Sequence, residues 1–328
     1  MKSTLQIVVR SLAAGALALL AALAQAADGA AGPLRIVVPF PPGGGTDVVA
    51  RALAEKLGPA LGVQAIVDNR PGGNSVIATR YVAASPADGN TLLLTTDIHA
   101  INAAYGLALP YDSIKDFAFV GQLTTSPLML VAHPGLPART LPDLVTLARA
   151  QPGKLSFASL GSSSPHYLGF EWFKRLARID VIDVPYKGGG QALVDLIGGQ
   201  VNLSLIVAGN GVRQAKAGKV SALAVTSPVR TPIAPDVPTF AESGYPEFAL
   251  VNWYAILAPA GTPSAVVRRL NREIGIALRD PAIAERVTAA GLEVTTGSPA
   301  DLEDLLRRDI ERYRRIIVLT GAKPDEQR

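Results

Sequence analysis

From Leu34 onward, short apolar runs alternate with stretches in which apolar residues recur every three or four positions. That is the pattern of strands and amphipathic helices layered around a largely parallel sheet. Arg35-Ile36-Val37-Val38 reads as a buried strand and Pro39 to Gly45 as a loop. Val49, Leu53, Leu57 and Leu61 then lie at helical spacing, with Thr46 as the expected N-cap and Asp47 in the first turn. Gln64 to Asp68 and Thr91 to Thr95 read as the next strands, the latter following the Asp88-Gly89 turn. A second series of the same kind begins after the proline-rich stretch His133-Pro134-Gly135-Leu136-Pro137. Thr140 with Asp143 makes a capping box, Leu155 to Ser159 reads as a strand, and Ser164-Pro165 opens a helix. Val181 to Val184, Val201 to Val207 and Ser221 to Thr226 read as further strands, and a helix from Gln191 to Ile197 is stopped by Gly198-Gly199. After Trp253 to Leu257 the chain turns helical, through cap-plus-proline starts at Thr262-Pro263, Asp280-Pro281 and Ser298-Pro299. The last helix gathers Leu302, Leu305, Leu306, Ile310, Tyr313 and Ile317 on one face, so it is expected to pack on a domain.

The first residues depart from this pattern. Lys2 and Arg10 precede an Ala- and Leu-rich run from Ser11 to Leu23, too short to span a bilayer and followed by Ala24-Gln25-Ala26. This reads as a secretory signal, residues 1–26, cleaved near Ala26 to leave a periplasmic protein. The remainder is long enough for two domains. With no cysteine in the chain, disulfides, thiolate metal sites, cysteine nucleophiles and a lipoprotein anchor are all excluded. The 31 Lys plus Arg against 27 Asp plus Glu form no basic block with interleaved aromatics, so no nucleic-acid partner is expected.

Candidate chemistry gathers in three small-residue loops that each lead from a strand into a helix. Pro39-Phe40-Pro41-Pro42-Gly43-Gly44-Gly45-Thr46-Asp47 lets the backbone approach a ligand, and helix-start N–H groups favour an anion. Ser159-Leu160-Gly161-Ser162-Ser163-Ser164-Pro165-His166 adds more hydroxyls than capping requires, and Pro185-Tyr186-Lys187-Gly188-Gly189-Gly190 precedes a third helix. Loops of one chemistry in two α/β series suggest one anion held between them, beyond the carboxyl ends of the strands. The first loop has neither the Gly-Lys-Ser/Thr ending nor the G-x-G-x-x-G of nucleotide sites. The histidines, His99, His133 and His166, lack metal spacing, and there is no G-x-S-x-G elbow. No metal, cofactor or catalytic residue is expected. Trp253 is a candidate either for the core or for the cleft lining.

At these residues the chain resembles the Bug family, extracytoplasmic solute receptors of the tripartite tricarboxylate transporter system. The resemblance runs through Pro39 to Asp47, Asp68-Asn69-Arg70-Pro71-Gly72-Gly73, Pro86 to Gly89, Val184 to Gly188, Gly198 to Val201, Ala217 to Val220, Asp236 to Thr239 and Leu257 to Pro263. It implies an α/β periplasmic binding protein of the Venus-flytrap, type II-like kind, with a ligand cleft between two domains: 33–133 together with 250–328, and 134–249. It implies a small carboxylate ligand held by backbone amides and hydroxyls, with the permease subunits of a tripartite transporter as partners and a monomeric receptor. Carried over by motif, Gly44, Gly45, Thr46 and Asp47 form one clamp and Ser162, Ser163, Ser164 and His166 the other. Phe40, Ser159, Tyr186 and Asn210 complete the expected ligand-binding set. Many members of the family it resembles have a histidine where this chain has Tyr167, so either His166 or Tyr167 is a candidate for the cleft. Relatives also often carry acidic residues after the Gly-Gly-Gln motif, whereas Val201 to Asn210 has none, leaving less to offer a ligand ammonium group. Two other readings stay open: a periplasmic serine hydrolase using Ser163 and His166, and a sensor without transport.

The signal pattern predicts a mature protein beginning at or close to Ala27, recovered from the periplasm. N-terminal sequencing checks this, and a membrane-bound product retaining Met1 contradicts it.

Overall fold

The computed structural model describes residues 32–324, so the expected signal segment lies outside the described residues. Among the described residues ten strands join in one sheet, eight along a single hydrogen-bonded path and two branching from it. The first half holds β1 (Leu34–Val38), α1 (Gly45–Leu61), β2 (Ala65–Asn69), α2 (Val76–Ala83), β3 (Thr91–Thr96) and α3 (Ile98–Ala104). Then comes β4, Phe117–Ala132, sixteen residues long. The second half holds α4 (Leu141–Ala150), β5 (Ser156–Ser159), α5 (Pro165–Ala177), β6 (Ile182–Pro185), α6 (Gly189–Ile197), β7 (Leu203–Val207), α7 (Ala208–Lys216) and β8 (Ser221–Val225). The chain closes with β9 (Val251–Pro259), α8 (Ser264–Arg279), α9 (Pro281–Ala289), β10 (Glu293–Val294) and α10 (Pro299–Thr320).

The two halves mirror each other around β4. On one side β2, β1 and β3 run parallel and β9 runs antiparallel between β3 and β4. On the other, β6, β5 and β7 run parallel, and β7 and β8 pair antiparallel with Leu128–Ala132 of β4. Strands covered on both faces need apolar residues at consecutive positions, as Ile36-Val37-Val38 and Leu92-Leu93-Leu94 show. Val37, Leu93 and Leu257 face the layer closed by Tyr313 of α10, while Ile36, Leu92 and Ile256 face α1, α8 and α9. The first of these layers continues through β4 into the second half, where Phe157 stacks on Phe170 at 3.8 Å.

Local signals in the sequence match the structure closely. Thr140 and Asp143 form the capping box, Ser164 caps α5 ahead of Pro165, and Asp280 and Ser298 cap α9 and α10. Two expected caps need correction. Gly44, in extended conformation, takes the N-cap of α1 and leaves Thr46 inside the first turn. Pro263 caps α8, and the Thr262 hydroxyl donates instead to the Pro259 carbonyl at 2.7 Å.

The halves also touch beside β4, where β10 pairs with Thr124 and Thr125. Gly209 at the start of α7 lies against Gly291, so close that a Cβ on Gly209 would sit 2.4 Å from the Gly291 Cα. Beside them Arg213 Nη1 donates to the Ala289 carbonyl at 3.2 Å, and the Thr231 hydroxyl bonds the Glu293 carboxylate. On another edge, Tyr105 Oη donates to the Ser162 carbonyl at 2.7 Å. Gly209→Val is therefore expected to force the halves apart or to cost about 1–3 kcal/mol as overpacking. Small-angle scattering should show a larger radius for the variant, or its unfolding midpoint should fall. An unchanged radius with unchanged stability would contradict this contact.

Candidate functional site

Each expected loop leaves the carboxyl end of a strand, where open α/β sheets place their ligands. The first runs from Val38 to Gly45. Gly43 has φ +91°, a left-handed conformation that glycine adopts without strain. The loop is tied by Asp47, whose carboxylate accepts from the Gly43 N–H at 3.0 Å, Arg51 Nε at 2.9 Å and Asn69 Nδ2 at 3.0 Å. Asn69 Nδ2 also donates to the Phe40 carbonyl at 3.1 Å. Arg51 foremost holds the Asp47 carboxylate below the usual carboxylate range. Asp47 is thus buried and committed to shaping the loop, and Arg51 is committed to Asp47.

What the loop presents is backbone. Gly44 caps α1 without any side-chain hydrogen bond, and a Cβ on Gly44 would meet nothing within 4 Å. A Cβ on Gly45 would lie 3.0 Å from the hydroxyl of Tyr254 on β9. Thr46 is buried in the first turn, and Phe40 is half-buried against the apolar layer beneath.

In the second loop the serines divide their work. Ser164 Oγ accepts from the Tyr167 N–H at 3.2 Å and donates to the Gly161 carbonyl at 2.7 Å, which closes the turn and caps α5. Ser162 turns its carbonyl to Tyr105, and Ser163 is buried. Ser159, at the end of β5, is fully buried with no partner for its hydroxyl. His166 holds an enclosed Nδ1 without a partner, and burial pushes its imidazole down to about 4, so it stays neutral near pH 7. Tyr167 packs against the apolar core.

The remaining expected residues lie apart from these loops in their bonding. Tyr186 Oη donates to Asp195 Oδ2 on α6 at 2.8 Å, and Lys187 with Gly188, Gly189 and Gly190 is exposed. Asn210 Oδ1 accepts from Arg213 and Gln214 of its own helix, at 3.4 Å each.

Strand order adds residues that local pattern does not reveal. Because β3 neighbours β1, Thr96 and Asp97 end beside the glycine loop, and β9 brings Tyr254 opposite Thr96. Trp253 turns the other way: it is buried and its Nε1 donates to Asp309 at 2.7 Å, which decides for the core. Asp97 is buried too. Burial foremost pushes its carboxyl up to about 7; Tyr313 Oη, donating at 3.0 Å, works against that, and Asp309 adds to it. Asp309 is itself paired with Arg312 at 3.0 Å. Burial, with the Asp97 charge nearby, pushes the Tyr254 hydroxyl up, so it remains a neutral donor. The signal that finds Thr96 and Asp97 is the apolar run Leu92-Leu93-Leu94 ending in polar residues, once β3 is placed next to β1.

Two mirrored α/β halves with loops at their carboxyl ends define a periplasmic binding protein of the Venus-flytrap class, the fold of solved periplasmic binding proteins. Residues 49–321 match the family model described as the tripartite tricarboxylate transporter family receptor. The chain belongs to that family of solute-binding receptors. It is 37% identical to protein BugT of Bordetella pertussis over 293 residues, 89% of this chain and 90% of BugT. Among solved structures, Rpa4515 of R. palustris with adipate is 33% identical, with a TM-score of 0.80 over 89% of this chain and 98% of that one. MatC of Rhodopseudomonas palustris with bound malate is 32% identical, with a TM-score of 0.76 over 87% and 98%. A receptor family sets the hydrolase reading aside. The chemistry agrees, since an imidazole pushed down to about 4 is a weak general base.

Asp97 yields a pH prediction. A carboxyl raised from 3.8 to about 7 binds its proton more tightly in the folded state. Its contribution to stability is present below pH 4 and is lost as pH climbs to 7. Asp97→Asn should match wild type near pH 4 and gain on it up to pH 8, by on the order of 4 kcal/mol. His99 and His166 titrate alike in both proteins and cancel. Denaturant melts at both pH values check this, and a stability difference that does not change with pH contradicts it.

Proposed function

We propose that this chain is a periplasmic receptor that captures a small organic carboxylate and presents it to the permease subunits of a tripartite tricarboxylate transporter. The domains in this reading are 33–133 with 250–328, and 134–249, closing on one ligand as a monomer. The observation that carries it is the start of α1: a glycine N-cap with no side-chain cap, open space at Gly44, and the Tyr254 hydroxyl 3.0 Å from the place of a Gly45 Cβ. Free helix-start N–H groups and one neutral hydroxyl form a donor site for an anion. The carboxylates in the Rpa4515 and MatC structures support this class of ligand.

Neutral donors distinguish this site from an ion-pair site. Arg51 is spent on Asp47, and Lys187 is exposed on the third loop. Calorimetry with organic acids that raise the unfolding temperature tests the assignment. Tyr254→Phe removes a hydrogen bond to a charged group, about 1.5–3 kcal/mol, and should weaken binding roughly ten- to a hundredfold. Gly44→Val should weaken it further by occupying the ligand's approach, whereas Lys187→Ala should leave it within about twofold, below the loss of one such bond. Loss of binding in Lys187→Ala, with Tyr254→Phe unaffected, contradicts the reading. Mass spectrometry should recover the ligand chemically unchanged.

A further inference from the structure

The face of β9 that carries Tyr254 carries a second polar group two residues earlier. Alternate residues of a strand share a face and stand about 6.6 Å apart. Asn252 is therefore the next side chain on the face that brings the Tyr254 hydroxyl to the start of α1. It is 8% exposed, and its Oδ1 is enclosed without a hydrogen-bond partner. Buried polar groups are nearly always paired, and an exception calls for a role.

Its place in the fold suggests one. Asn252 pairs with Ser126 of β4, one residue before Pro127, where β4 passes from one half to the other. Two residues earlier, the Leu250 N–H donates to the Thr226 carbonyl at 2.9 Å, and the Thr226 N–H donates to the Leu128 carbonyl at 2.8 Å. Ser227, which follows Thr226, is also buried with an unpartnered hydroxyl. With the hydroxyl of Ser126, buried and unpartnered opposite Asn252, three unsatisfied groups thus gather at the crossing between the halves, on the side leading away from the helix start assigned to the carboxylate.

We propose that the Asn252 side-chain amide is a specificity-determining group that accepts a hydrogen bond from a hydroxyl on the second or third carbon of the bound acid. The inference rests on the carboxylate reading of the same cleft. A neutral amide carbonyl matches a neutral donor. An ammonium group would call for a charged partner, and no acidic residue lies between Val201 and Asn210 at the end of β7.

Calorimetry on the full mature chain tests this with matched acids: malate and succinate, lactate and propionate, 3-hydroxybutyrate and butyrate, with aspartate as the amino counterpart. Wild type should favour the hydroxy acid of at least one pair. Asn252→Leu, close in size and unable to hydrogen-bond, should lose about tenfold for that acid and stay within twofold for its deoxy partner. Deoxy-acid binding also reports that the variant is folded. Asn252→Gln and Asn252→Ser keep a polar group and should retain part of the preference. If Asn252→Leu does not fold, they decide the matter, and a full preference in Asn252→Ser overturns the proposal. A hydroxyl preference that is absent in wild type, or unchanged in Asn252→Leu, overturns it while the carboxylate reading stands. A wild-type preference for aspartate that Asn252→Leu abolishes overturns the hydroxyl assignment. If no acid of the panel binds wild type, the carboxylate reading falls and this inference falls with it.

Discussion

Everything in this structure hangs on one strand that belongs to both halves. Phe117 to Pro127 of β4 pair with β9, the register shifting at Val120 and Leu123, and Leu128 to Ala132 of the same strand pair with β7 and β8. A shared strand fixes how far the halves can separate, because neither can leave without breaking a ladder. Pro127 stands at the changeover and has no N–H to give, so the ladder is thinnest where the two sheets meet. The halves also meet through small contacts, one of them beside that strand. Gly209 against Gly291 is backbone on backbone, and Tyr105 reaches the Ser162 carbonyl from the opposite edge.

Around that frame the charged groups are used to hold shape. Asp47 ties three donors around the glycine loop, Arg51 is consumed by it, and Ser164 closes the second turn on itself. The groups left over are neutral: the first-turn backbone of α1, the Tyr254 hydroxyl, the Ser159 hydroxyl and an uncharged His166. Fixed dipoles of this kind favour an anion without presenting a full positive charge. Behind this wall Trp253 donates to Asp309 and Tyr313 to Asp97, and burial raises both carboxyls.

How much of this could be read from the chain follows the range of the interactions. Caps formed within four residues, as at Thr140, Ser164 and Ser298, are legible because the partners are neighbours in sequence. Thr46 misleads because a glycine can cap one turn earlier through its backbone alone. The long β4 is hidden, since Gly121, Gln122 and Pro127 interrupt its apolar run and its pairing partners lie far along the chain. Tyr254, Asn252 and Asp97 carry no local signature. The strand order β1-β3-β9 is what brings these distant segments together. Lys187, by contrast, stands out in the sequence beside three glycines and proves to be exposed.

The proposed function requires a carboxylate held by helix-start amides, with Arg51 engaged by Asp47 and no other cation given over to the ligand. Backbone amide nuclear magnetic resonance measures this directly, as an organic acid that stabilises the protein is titrated into the labelled mature chain. The account predicts saturable downfield shifts of the amide protons at Gly45 and Thr46, with those around Lys187 unmoved. Shifts gathered around Lys187, with the start of α1 unchanged at saturation, would contradict it.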